Sequence, residues 1–515
     1  GLGKISRNEP SQGYEKYNSI IYMIINQIRI PLILFLFCFH FISPQNAETQ
    51  YNCFSILVGK DATVDGSVLF AHNEDDGGIN LVNWYKVPRL THQKGANISL
   101  ITGGQISQIN ETYSLIWLEM PGQTFSDSYM NEWGVTIASD ACRSKEDSPD
   151  LIDGGIGYYL RRIMAERAKS AKEAVKIAGA IVDSIGYASS GRTYCVADPN
   201  EAWMMSVVNG QHWVAQRIPD DHVAIIPNYY TIQDVDLTDT LNFLGSPDIV
   251  DYAINRGWYN PNSDKEFNFR LVYGKPSSVN SIRNIAREWS AINILSPIQY
   301  EISDKFPFSF KPVEKVSIQD LMEVLQNHYE DTNLEDLNLT NPHENKILPI
   351  CRIDTQYGFI AQLRNWLPPE SGSILWLAPR RPCTQVFIPW YSGIANIPDD
   401  YSIGNYETAL KNHFNKYDNI KSATSTHKFW DYAYYTEEID KNYYELLPIV
   451  KANKQSLQQE IFEDFYKFDK NIINLYNENS QHATDSINIF INRIINRSVN
   501  YIDLNKQKGG KNATK

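Results

Sequence analysis

The sequence predicts an α+β fold that ends in a helical C-terminal extension, and three observations carry that prediction. Short runs of strand character recur between residues 53 and 378; three runs of helical spacing, 158–185, 281–294 and 318–328, interrupt them; and from about Pro398 the chain becomes rich in Asn, Lys, Tyr and Glu with helical periodicity alone. The 515 residues are 43% hydrophobic and 12% aromatic, which suits an ordered globule. A net charge of −13 without a long basic stretch argues against a nucleic-acid partner.

Taken in order, residues 1–22 precede Met23 and read as an upstream extension. Arg29, the apolar run 30–42 and Ser43-Pro44-Gln45-Asn46-Ala47 then follow the basic, apolar and small-residue order of a secretory signal, 23–47. The apolar run is short of the roughly 20 residues a membrane-crossing helix needs. A cleaved signal is therefore expected rather than a retained anchor, giving a secreted or lumenal protein, lysosomal or vacuolar destinations included, with no stable membrane insertion. A cut after Ala47 leaves 48–52 as a short propeptide, and its removal exposes Cys53.

The main domain is expected over 53–395. Residues 53–58 alternate apolar and small side chains, Asp65-Gly66 signals a tight turn, and 67–71 resume the strand, which together read as a β-hairpin. His72-Asn73-Glu74-Asp75-Asp76-Gly77-Gly78 then ends the second strand and brings a polar cluster back beside Cys53. Further strands are expected at 113–119, 134–138, 192–197, 202–208, 212–217, 222–227, 351–364 and 372–378, with a helix over 158–185 closed by Gly186. In the extension, 396–515, helical periodicity runs over 449–475 and 487–495. That extension reads as a solvated cap or an oligomer contact, so a homo-oligomer stays open.

Cys38 lies in the leader, and Cys53, Cys142, Cys195, Cys351 and Cys383 follow it. An odd number after leader removal fits one working thiol plus four others that are either two disulfides or free buried thiols. The histidines show no HExxH and the cysteines no CxxC, so neither a metal site nor a cofactor is expected. Sequons at Asn97, Asn110, Asn338, Asn496 and Asn512 permit glycosylation in a eukaryotic secretory route.

As a first residue, Cys53 would carry a thiol and an α-amine together. The two groups have ordinary pKa values of about 8.5 and about 7.7–8.0, so near neutral pH the amine takes the thiol proton, directly or through a water. The thiolate then attacks an amide carbonyl, and water hydrolyses the resulting thioester. The alternative is an ordinary buried strand cysteine.

The block Cys53-Phe54-Ser55-Ile56-Leu57-Val58-Gly59-Lys60-Asp61-Ala62, with Asp65-Gly66-Ser67 and His72-Asn73-Glu74-Asp75, resembles the mature start of the secernin-like dipeptidases, which are N-terminal-nucleophile cysteine hydrolases. The likeness continues through Asn131-Glu132-Trp133-Gly134-Val135, Ala197-Asp198-Pro199-Asn200-Glu201-Ala202-Trp203, the segment 213–221, Gln362-Leu363-Arg364 with Pro368-Pro369, and Pro389-Trp390-Tyr391. It implies a four-layer αββα sandwich and hydrolysis of dipeptides from the amino end.

The resemblance also implies roles for particular residues. Asp75, in the matched Asn-Glu-Asp triplet, would hold and polarise the α-ammonium group of Cys53, against the alternative of a solvated turn acid. His72 stands where related enzymes often carry arginine; a group that titrates near pH 6.5 replaces a permanent cation and either shifts the pH optimum or caps the strand. Asn131 matches an oxyanion-hole position, and Asn228, in Ile226-Pro227-Asn228, is the second donor, with turn chemistry the alternative for both. Asp140 is a candidate to receive a substrate amine, against a plain loop acid. The expected substrate is a short peptide. An N-acyl amide substrate for the same machinery and a catalytically silent interaction protein are the other readings.

Overall fold

The computed structural model describes residues 53–415, 420 and 424–512, the side chains of 504–512 apart. The leader and propeptide expected over 1–52 lie outside the described residues.

Two antiparallel sheets form the centre. The first has six strands in the spatial order Val223–Ile226, Phe54–Val58, Val68–Asp75, Thr355–Leu363, Ser373–Pro379 and Ile388–Tyr391. The second has eight, in the order Phe243–Gly245, Trp213–Arg217, Ala202–Val207, Arg192–Ala197, Thr136–Ala141, Ser128–Asn131, Leu115–Glu119 and Asn83–Val87. Strand alternation sorts the second sheet's side chains between two cores. Ile116, Leu118, Met130, Ala138, Cys195, Ala197 and Met204 join the core shared with the first sheet, whereas their neighbours Trp117, Tyr129, Ile137, Tyr194, Val196 and Trp203 join a second core. That second core is closed by the helices Tyr159–Arg167 and Ala171–Ile185. Helices Ile282–Leu295 and Ile318–Leu325 and the C-terminal helices cover the outer face of the first sheet. The layers thus run helix, sheet, sheet, helix, the αββα sandwich that the resemblance implied.

Local chemistry explains the element ends. The predicted helix 158–185 is two helices, because Ser170 leaves helical geometry and its side chain accepts the Glu173 N–H as an N-cap. Ser317 and Asp320 form a reciprocal capping box that starts Ile318–Leu325. In the two central sheets, four strands lacked a sequence signal: Asn83–Val87, Ser128–Asn131, Phe243–Gly245 and Ile388–Tyr391. The last carries Pro389, which the ladder accepts because the strand lies at a sheet edge.

The C-terminal helices Phe429–Asp440, Tyr443–Glu478 and Ser480–Asn512 share the main core. Trp376 packs between Phe462 and Phe465 at ring separations of 5.0 and 4.7 Å. Arg364 pairs with Asp469 through both terminal nitrogens, at 2.5 and 2.9 Å. No described helix is long and apolar enough to cross a membrane.

Candidate active site

The predicted hairpin forms, and its second strand is longer than expected. Val68–Asp75 runs through the polar tetrad rather than stopping before it, with Ser55 opposite His72 and Phe54 opposite Asn73. The turn is held by Asp65, whose Oδ1 accepts from the Ser67 N–H at 3.0 Å, and by Gly66 at φ 84°. Because side chains alternate, Cys53, Ser55, His72 and Glu74 share the face that looks into the second sheet, while Asn73 and Asp75 face the helical layer.

A buried hydrogen-bonded chain runs along the inner face. Cys53 Sγ donates to Glu74 Oε1 at 3.0 Å, Glu74 Oε2 lies 3.1 Å from His72 Nε2, and His72 Nδ1 lies 2.8 Å from Ser55 Oγ. Ser55 Oγ in turn donates to Asp140 Oδ2 at 2.7 Å. One proton inventory satisfies every pair: a neutral Glu74 gives its proton to His72 Nε2, and His72 gives its Nδ1 proton to Ser55. The electrostatics agree. Burial pushes Glu74 up to about 8 against the opposing Arg161 cation, and burial pushes His72 down to about 4. Burial, and after it the Glu74 charge, holds the Cys53 thiol well above the ordinary range. The resting sulfur is a thiol that needs a base.

On the other side of the strand end, the Cys53 carbonyl accepts from Arg287 Nη1 at 3.2 Å. Arg287 Nη2 also donates to the Pro227 carbonyl at 2.9 Å and to Asn228 Oδ1 at 2.8 Å. Asn228 sits at φ 79°, and its Nδ2 is buried with no hydrogen-bond partner. Asp75 accepts from Thr355 Oγ1 at 2.5 Å through Oδ1, while Oδ2 is buried without a partner. Burial holds Asp75 well above the usual carboxylate range, with Arg352 opposing. Cys53 Sγ is 3.9 Å from the Asp75 carbonyl. Cys53 is thus linked to Asp75 through that residue's carbonyl and to Asn228 through Arg287.

Other expectations need correction. Asn131 is directed away from the thiol: its Nδ2 donates to the carbonyls of Ala165 and Ala168 at 2.8 and 2.7 Å, on the helix side of the second sheet. Its Oδ1 accepts from the N–H groups of Trp133 and Val135, so the turn alternative describes it. His72 is neither a strand cap nor a group titrating near pH 6.5; it is mid-strand, fully buried and neutral. Asp75 and Asp140 are strand residues, not a turn acid and a loop acid, and burial pushes Asp140 up to about 6. Among the described residues no disulfide forms, and Cys142, Cys195, Cys351 and Cys383 are buried thiols.

Two residues at the site carried no earlier assignment. Glu74 lies within the recognised triplet, and the alternation that puts His72 opposite Ser55 also puts Glu74 opposite Cys53. Arg287 lies 234 residues beyond Cys53 in a helix whose spacing says only which face is apolar.

With this geometry in place, comparisons with known proteins bear on it. The profile of Peptidase family C69 matches residues 52–442. A probable dipeptidase of Latilactobacillus sakei is 28% identical over 389 residues, covering 73% of this chain and 81% of that protein. A probable dipeptidase of Salmonella dublin is 26% identical, covering 66% and 81%. Dipeptidase A of Lactobacillus helveticus is 26% identical, covering 68% and 77%. A crystal structure of a mutant conjugated bile acid hydrolase from Clostridium perfringens aligns over 64% of this chain and 89% of that one, at 12% identity and a TM-score of 0.30. The match over most of the chain, on the very block that opens with the buried thiol, places this protein in Peptidase family C69, the family of the secernin-like cysteine dipeptidases.

Proposed function

We propose that this chain cleaves dipeptides by covalent catalysis at Cys53, once the residues before it are removed. The observation that supports this most is the protonated Cys53 thiol held at a strand end beside a carboxyl that is itself neutral below about pH 8. Such a carboxyl is a poor base, whereas the freed α-amine of the same residue is attached next to the sulfur and titrates near neutrality.

In this reading the amine takes the thiol proton and Sγ attacks the peptide carbonyl carbon. The oxyanion meets Asn228 Nδ2, a buried donor left without a partner. Collapse expels the leaving amine, which recovers the proton, and leaves an acyl thioester. Water, deprotonated by the same α-amine, then releases the acid and restores the thiol. Asp75 Oδ2 receives the α-ammonium group whenever it forms, and the arginine beside the Cys53 carbonyl fixes the first residue. Dipeptides are the substrate class on the strength of the family and of the relatives named as dipeptidases. A secretory route for maturation follows from the signal-like order of residues 23–47.

The test is to sequence the amino terminus of active protein and to assay it on dipeptides and on N-acyl amino acids. Cys53 as first residue, turnover of dipeptides, and a loss of at least about 100-fold in Cys53→Ser are expected. An active chain that starts ahead of Cys53 overturns the mechanism, and turnover confined to N-acyl amides overturns the substrate class.

A further inference from the structure

Away from the thiol, two histidines and two cysteines meet at one buried point. His328 follows the helix Ile318–Leu325, His343 sits in the short 3-10 turn Pro342–Glu344, Cys351 precedes the strand Thr355–Leu363, and Cys383 lies between Ser373–Pro379 and Ile388–Tyr391. One ligand atom from each lies within 4.8 Å of all the others, and all four residues are buried. His343 Nε2 is 3.3 Å from Cys383 Sγ and 4.0 Å from Cys351 Sγ.

The outer edges of both imidazoles face carboxylates. His328 Nδ1 lies 2.8 Å from Glu330 Oε1, and its Nε2 is buried with no hydrogen-bond partner. His343 Nδ1 lies 3.1 Å from Asp440 Oδ1, not yet aligned as a hydrogen bond. A carboxylate behind a ligating histidine fixes the tautomer that presents the other nitrogen to a metal. Tetrahedral zinc with bonds of about 2.3 Å to sulfur and about 2.0–2.1 Å to nitrogen keeps neighbouring ligand atoms roughly 3.3–3.8 Å apart. The observed spacings, none above 4.8 Å, meet that after a contraction of at most about 1.5 Å.

We infer that His328 Nε2, His343 Nε2, Cys351 Sγ and Cys383 Sγ form a structural site for one zinc-type divalent ion, contrary to the metal-free expectation from sequence. Two thiolates and two neutral imidazoles around a dication sum to no net charge, which suits burial. An ion displaces the thiol protons of Cys351 and Cys383 as it binds. His328 and Cys383 also line a cavity of about 480 Å³, a route by which an ion reaches them.

The site has structural work to do. The connection from Leu325 to Thr355 holds a single 3-10 turn and no other regular element, yet three ligands come from it. The residue after Cys351, Arg352, leads to Thr355, which hydrogen-bonds Asp75. Asn73 ties the same connection down through the carbonyls of Leu325 and Ile350, at 2.9 and 3.0 Å. Lys454 Nζ, from the long C-terminal helix, donates to the Cys383 carbonyl at 2.8 Å. An ion here would pin the irregular wall behind the nucleophile hairpin to both the first sheet and the helical layer. Its reading is independent of the chemistry assigned to Cys53.

The experiment uses untagged full-length protein purified without chelator, with metal content measured by mass spectrometry and thiol state by non-reduced peptide mapping. About one zinc per chain, with Cys351 and Cys383 unoxidised, is expected. Protein grown with cobalt should show thiolate-to-cobalt charge transfer and tetrahedral d–d absorption, both lost in Cys383→Ser and kept in Cys142→Ser. Metal-free protein without a cobalt spectrum, a Cys351–Cys383 disulfide, or metal unchanged in Cys383→Ser overturns the site. Should Cys383→Ser fail to fold, the metal content and cobalt spectrum of the unmodified chain decide alone.

Discussion

At the scale of single residues, the telling observation is a buried donor without a partner beside the nucleophile strand, because leaving it unpaired costs free energy that a ligand oxygen would recover. Asn228 Nδ2 is such an atom, on a residue held at φ 79° at the end of the strand next to Cys53. If it meets the oxyanion, its removal weakens the transition state more than the ground state. Glycine suits the backbone there, so Asn228→Gly deletes the donor without adding strain. We expect kcat to fall about 100- to 1,000-fold with KM changed far less, measured by steady-state hydrolysis of a dipeptide. An unchanged kcat would take Asn228 out of the chemistry. Sequence placed this residue after a proline at a strand end, and the structure leaves its amide nitrogen there without a partner.

At the scale of elements, Asn131 shows where a local motif stops informing. The spacing Asn131-Glu132-Trp133-Gly134 fits both a turn and an oxyanion donor, since both use an amide at a strand end. The strand decides: Asn131 lies opposite Leu115, on the face packed by Tyr159–Arg167, and its amide joins that helix end to the turn. Asn131→Ala leaves two buried carbonyls and two N–H groups short of a partner, at about 1–3 kcal/mol for each group left unsatisfied. Chemical denaturation should show a loss of a few kcal/mol, while kcat per folded molecule stays within about twofold. Gly134, in the same turn, is at φ 79°, and a Cβ there would lie 2.4 Å from Ser373 Oγ of the facing sheet. The turn is thus a packing joint between the two sheets as well as a link between two strands.

At the scale of the whole molecule, the inter-sheet layer stores protons, and stability must follow pH accordingly. Burial raises Glu74 from 4.5 to about 8, so between those values the folded chain holds a proton that the unfolded chain has lost. Its contribution to stability is complete below pH 4.5 and is lost as pH rises through about 8. His72 runs the other way: with its pKa lowered from 6.5 to about 4, its contribution is complete above pH 6.5 and is lost as pH falls through about 4. Gln at position 74 keeps the shape and both hydrogen bonds of the neutral acid. Thermal midpoints of Glu74→Gln should therefore decline less between pH 4.5 and 8 than those of the parent chain. Parallel curves would mean that Glu74 does not hold its proton in the folded state.

The sequence by itself determined the hairpin that opens with Cys53, the α+β class and the family, because these reside in contiguous residues whose alternation and turn chemistry are local. It held Glu74 as well, for anyone carrying the hairpin register one pair past Ser55 and His72. Tertiary structure decided which polar groups meet. Arg287 reaches the Cys53 carbonyl from 234 residues away, Asp140 reaches Ser55 from another sheet, and four ligand-type side chains gather from two separate connections. Periodicity records which face of an element is apolar but not what that face will touch, so packing alone could turn Asn131 away from the thiol and bring Asn228 toward it.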